Sequence, residues 1–177
     1  MSDTGELASG EATSELEQQW PVVRRVFWKA FLSSIHYAIG SVDSDGAPHV
    51  TPIGTVILRE PCRGIFFQRY TARLPKHLEQ NNRVCVLAVD TGRLMWARAL
   101  VTGRFPRPPA VRLYGTVGPL RRATDEELRL WRHRVAFAKP TRGYKLIWRD
   151  MTMVRDLHFT HARGVEIGPM PAGLDLG

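Results

Sequence analysis

The chain has 177 residues, 44% hydrophobic and 24% charged, enough for one soluble domain with a core of its own. No run approaches the roughly 18 uncharged apolar residues of a membrane span, and Met1 to Thr13 lacks the basic-then-apolar layout of a secretory signal, so the expectation is a cytoplasmic protein without a membrane partner. A formal net charge of +8 attracts polyanions, yet arginine supplies nearly all of it and is dispersed along the chain, which favours small anionic ligands over nucleic acid.

Residues 1–13 are small and polar without periodicity and are read as a mobile arm. Ser14 and Glu17 form a capping box, and Trp20, Val23, Phe27, Ala30 and Phe31 follow at helical spacing, so an amphipathic helix is expected from there to about Leu32. Tyr37–Val42, the polar tetrad Asp43-Ser44-Asp45-Gly46 and Ala47–Leu58 predict a strand, a tight turn and a longer strand. Within the second arm Pro52 cannot donate to a ladder and Gly54 has no side chain, which predicts an irregular or edge stretch where a flat ligand can approach the backbone.

Gly64–Tyr70 reads as a strand, and Thr71 as the N-cap of a short helix running to about Gln80, with Pro75 tolerated in its first turn. Val84–Val89 is a buried strand by its nearly continuous apolar run. Residues 91–110 are ambiguous: Leu94–Val101 fits helix or strand, while Pro106, Pro108 and Pro109 impose a loop. Val111–Leu120 reads as a strand with bulges at Gly115 and Gly118. Thr124-Asp125-Glu126-Glu127 is a second capping box opening a helix to about Phe137, and a final strand pair is expected within Leu146–Ile167. Strands in this order, with no repeat and no βαβ rhythm, predict a closed antiparallel barrel decorated by helices, a single domain over residues 14–170 with a tail at 171–177.

Few residues carry chemistry. Cys62 and Cys85 lack any CxxC or Cys/His pattern and read as ordinary thiols. His158 and His161 have no acidic or thiol companion at metal spacing, so no metal site is expected, and His36 and His49 near the hairpin could touch a bound ligand or, as the favoured reading, cap strand ends. No GxSxG, Walker loop or GxGxxG occurs. Trp96 beside Arg98 suits stacking on a ring, against a plainer role in packing. Arg73 and Lys76, three apart in the first turn of the short helix, share a face with free backbone N–H groups and the positive end of the helix, which is a recipe for binding phosphate. Arg69 and the Thr71 hydroxyl could add donors, and the competing reading is a set of solvated charges.

The run GIFFQRYTARLPKHLEQNNRVCVLAV, Gly64 to Val89, resembles the pyridoxamine 5′-phosphate oxidase-like, FMN-binding split-barrel proteins, with a strand, a basic helix start and an apolar strand in that family's order. Asp45 to Ile53 resembles the family's hairpin, and Val111-Arg112-Leu113-Tyr114-Gly115 its Val-Arg-Val-Glu-Gly strand. The resemblance implies a mainly β, six-stranded antiparallel split barrel of Greek-key type with flanking helices, and a homodimer with its cofactor at the interface. It implies an FMN-dependent oxidoreductase of a small-molecule substrate, in which Arg73 and Lys76 hold the phosphate with help from Arg69 and Thr71. Val50, Thr51, Pro52, Ile53 and Thr55 would line the ring.

The chain departs from the pattern in several places, among them Gly164 to Gly177, which lacks the closing Arg-Leu-x-Pro segment of the B6 oxidases. Leu74 replaces the usual lysine, Asn82 the usual proline, Ala110 stands where the B6 oxidases carry glutamine, and Asp156 replaces the arginine of their Arg-Leu-His segment. Vitamin B6 oxidation is therefore a minority expectation, and no catalytic residue can be named. The rival readings are an F420-dependent reductase of the same barrel, a non-catalytic flavin or haem binder, and a nucleic-acid module.

Overall fold

The structure, a computed structural model, describes residues 4–170. The N-terminal helix α1 spans Thr4–Ser34, so it begins well before the expected cap at Ser14, which lies inside it. Its stripe of Leu16, Trp20, Val23, Phe27, Ala30 and Phe31 is at most 3% exposed. That stripe packs into the same apolar cluster as Ile39, Phe66, Val86, Leu113 and Leu157 of the sheet, so tertiary burial secures the helix, not its cap. Residues 1–3 and 171–177, parts of the expected arm and the expected tail, lie outside the described residues.

Among the described residues eight strands, not six, make one antiparallel sheet: β1 (Tyr37–Val42), β2 (Pro48–Ile53), β3 (Val56–Arg59), β4 (Arg63–Phe67), β5 (Arg83–Val89), β6 (Ala110–Val117), β7 (Arg121–Arg122) and β8 (Met153–Gly164). Their order is β2-β1-β5-β6-β8-β4-β3, with the short β7 also on β8. The long strand expected over 47–58 breaks at Gly54 and Thr55 into β2 and β3, which are the two edges of the sheet. One bent segment thus joins both edges and curls the sheet into a split barrel. A Cβ at Gly54 would lie 2.9 Å from the Ile35 carbonyl oxygen, so the bend requires glycine.

Two further expectations change. The C-terminal segment holds one long strand, β8, because β8 serves β4, β6 and β7 along its length and needs no partner of its own. Of the two expected bulges, the register shifts only between Tyr114 and Gly115, where a Cβ would sit 2.0 Å from the His158 carbonyl oxygen; Gly118 lies beyond the strand. The ambiguous 91–110 segment contains a helix, α3 (Arg93–Thr102), ended by Gly103 at φ +68° and anchored by a small cluster of Met95, Ala99 and Phe105.

Opposite the α1 side, Ile65 and Phe67 alternate with Phe66 along β4 and face Trp131 and Val135, which belong to α4 (Asp125–Arg134) and the residue that ends it. Both halves of the Thr124/Glu127 capping box form. Glu127, 1% exposed, also receives Arg121 through two hydrogen bonds of 2.9 and 2.8 Å, while Arg121 grips Asp156 at 2.7 and 2.6 Å. This network, buried at Glu127 and partly exposed at Arg121 and Asp156, ties β7, β8 and α4 together. Among the described residues no helix is long and apolar enough to cross a membrane.

Candidate functional site

The helix α2 (Leu74–Gln80) lies over the β1–β2 hairpin, anchored by Leu74 and Leu78, which are 1% and 4% exposed. A helix turns by about 100° per residue, so burying those two positions leaves Arg73 and Lys76 in solvent and carries His77 down toward the hairpin. The helix starts later than expected: Arg73, not Thr71, is its N-cap, and Arg73 makes no side-chain cap bond. Thr71 instead has a buried hydroxyl without a hydrogen-bond partner among the described residues. Neither Arg73 nor Lys76 forms an ion pair with a described residue, whereas Arg69 donates to the Asp150 carbonyl and lies 5.2 Å from the Tyr70 ring centre. Arg69 is thereby engaged by the 144–150 turn.

The β2 residues fall into two sets by strand alternation. Pro48, Val50 and Pro52 face outward, with Val50 74% exposed, while Ile53 is buried and Thr51 half-buried. Thr55 is buried, and its hydroxyl donates to the Phe67 carbonyl at 2.7 Å, so that side chain serves the β3–β4 junction. As an edge strand, β2 leaves backbone groups unpaired on its outer side, as the irregular-edge expectation required.

The outward face of β2, β1, β5, β6 and β8 forms an open trough of about 810 Å³ whose floor includes Gly40, Val50, Cys85, Tyr114, His161 and Arg163. His161 stacks on Tyr114 at 4.6 Å, and burial, then Arg163, push its pKa down, favouring the neutral ring. Burial likewise pushes the Cys85 thiol up.

Sequence reasoning missed a further group. Asp43 in the hairpin turn, His49 on β2 and His77 on α2 each place a donor atom within 4.8 Å of the others. His49 Nε2 is 2.8 Å from Asp43 Oδ2, the two imidazole centres are 4.4 Å apart, and His77 Nδ1 is 3.3 Å from the Ser41 hydroxyl. Hydrogen bonding to His49 and to the turn amide of Ala47 holds the Asp43 carboxyl below its usual range. The pair Asp43 and His49 was within reach of the hairpin prediction, but His77, far along the chain, joins it only through the docking of α2.

Similar proteins bear on this architecture. HupZ of Group A Streptococcus matches with a TM-score of 0.53 at 14% identity, over 81% of this chain and 94% of that one. A pyridoxamine 5′-phosphate oxidase-like protein of Listeria innocua matches at 0.49 and 13% identity, over 81% and 98%. HutZ, a haem storage protein of Vibrio cholerae, matches at 0.48 and 14% identity, over 77% and 90%. At 14% identity the HupZ likeness concerns the fold alone. No curated protein matches the chain. The profile of the family described as Pyridoxamine 5′-phosphate oxidase matches residues 27–158, from the last turns of α1 into β8, so the chain belongs to the pyridoxamine 5′-phosphate oxidase family.

Proposed function

We propose that the protein binds FMN and works as a flavin-dependent oxidoreductase on a small-molecule substrate, as a homodimer with the flavin between subunits. The observation that carries this reading is the donor set before and within α2: the buried, unpartnered Thr71 hydroxyl, and Arg73 and Lys76, both exposed and outside any ion pair with a described residue. All three are donors, so a group that would satisfy them is an anion with several oxygens, as a phosphate monoester is. Leu74, where the family usually has lysine, is buried and cannot contribute. Arg69 and Thr55 are spent on internal bonds, which leaves the unpaired outer backbone edge of β2, at Val50 to Pro52, as the natural support for the ring. When bound, FMN supplies hydride or electron transfer; the chain's own residues bind and orient it. The apolar outward positions Val42, Val50, Leu87 and Val89 suit a subunit contact beside that edge.

A second reading, a haem-holding protein without catalysis, is favoured by the neutral His161 imidazole on the open trough, with Arg83 and Arg163 among its lining to pair acidic groups. One experiment separates the readings: the absorbance spectrum of the purified protein alone, with FMN and with F420, followed by identification of any chromophore released on denaturation. Flavin bands that shift on binding, and flavin reduction by a nicotinamide donor, support the FMN enzyme. Preference for F420 replaces the cofactor, a Soret band promotes haem, and no chromophore with no FMN binding sinks the flavin reading.

A further inference from the structure

We propose that Asp43, His49 and His77 form a binding site for one divalent transition-metal ion at the tip of the β1–β2 hairpin, independent of the flavin reading. The three donors come from a turn, a strand and a helix, and the fold brings all of them within 4.8 Å of one another. Four-coordinate ligands at about 2.0–2.1 Å from an ion stand about 3.3 Å from each other, so small side-chain rotations close the site.

The surrounding bonds orient each donor, as outer partners of metal ligands do. One Asp43 oxygen, Oδ1, accepts the amides of Asp45 and Ala47 at 3.0 and 2.9 Å, which aims Oδ2 at His49. With its proton on Nδ1, His77 donates to the Ser41 hydroxyl, and its other nitrogen keeps a lone pair with no partner among the described residues. One carboxylate thus faces two imidazoles and engages only one of them. An ion would satisfy both rings and use the charge that the lone carboxylate supplies.

The donor chemistry selects the class. Two imidazoles and a carboxylate suit zinc, cobalt, nickel, copper or ferrous iron, and not the all-oxygen preference of calcium or magnesium. The side chains of His49 and Asp43 keep 34% and 23% of their exposure, which provides an entry path. Three protein ligands also leave a coordination position for water or a small ligand.

The test is a Co2+ titration of the full chain without an affinity tag, followed in the visible spectrum, with Zn2+ competition. One Co2+ per chain with visible d–d bands that Zn2+ bleaches is expected, and Zn2+ should raise the melting temperature. Asp43→Asn retains an acceptor for the turn amides, and His49→Gln is partly exposed, so both should fold by circular dichroism while losing about 100-fold or more in affinity. His158→Gln should bind as wild type does. Absence of stoichiometric binding, wild-type affinity in both site variants, or loss of binding in His158→Gln would overturn the site.

Discussion

Glu127→Gln should cost stability in a way that pH reveals. Glu127 is 1% exposed and accepts from Arg121 at 2.9 and 2.8 Å and from the Thr124 amide at 2.8 Å. The Arg121 guanidinium above all holds its carboxyl at about 2, against an ordinary 4.5. At 1.36 kcal/mol per unit that difference is worth about 3 kcal/mol, and because the Arg121 side chain keeps 35% of its exposure, screening trims it to about 2–3 kcal/mol. The folded pKa is depressed, so the contribution is complete above the unfolded value near 4.5 and is lost as pH falls through the folded value near 2. Urea denaturation of wild type and variant should show a gap of about 2–3 kcal/mol at pH 7 that narrows steadily below pH 4.5. A gap of the same size at pH 3 and pH 7, or none at pH 7, would refute the assignment of the charge to this network.

The double substitution Arg73→Ala, Lys76→Ala should weaken FMN by about 3–6 kcal/mol at about 1.5–3 per charged contact, while stability moves by no more than about 0.5 kcal/mol because both side chains are exposed; fluorescence titration and urea midpoints measure the two. Gly115→Ala places a Cβ 2.0 Å from the His158 carbonyl oxygen and should destabilise by more than about 3 kcal/mol, or prevent folding, in the same denaturation assay. Val50→Asp adds a charge at a position 74% exposed in the single chain, so light scattering should register a monomer with an unchanged chain fold, and a persistent dimer would remove β2 from the interface.

Local chemistry made much of the fold legible. The hairpin was readable because Asp43 and Gly46 serve a turn whatever surrounds them: Asp43 Oδ1 takes the Asp45 and Ala47 amides, and Gly46 adopts φ +82°. Helix α4 was readable because Thr124 and Glu127 cap it from within four residues. The break at Gly54 was visible as a weakness, but not as the seam of the barrel, since that depends on which strands end at the two edges. The single strand β8 was missed for the same reason: a segment long enough for two strands becomes one when three neighbours share it. The residues 91–110 resisted because helix and strand patterns overlap in a short apolar run, and only the docking of Met95, Ala99 and Phe105 decides for α3.

The site divides along the same line. Arg73 and Lys76 were visible because their relation is three residues of one chain segment, and the structure keeps both exposed. What spacing cannot tell is which donors have already been used. Arg69 and Thr55 have the chemistry for a ligand but spend it on Asp150 and Phe67, while Thr71, lacking the cap role expected of it, is left with an unpartnered hydroxyl. The same helix also delivers His77 to Asp43 and His49, because burying Leu74 and Leu78 fixes its rotation. The leucine at 74 therefore has two effects: under the proposed FMN reading it leaves Arg73 and Lys76 as the cations for the phosphate, and by its burial it anchors the helix in the orientation that joins His77 to the hairpin.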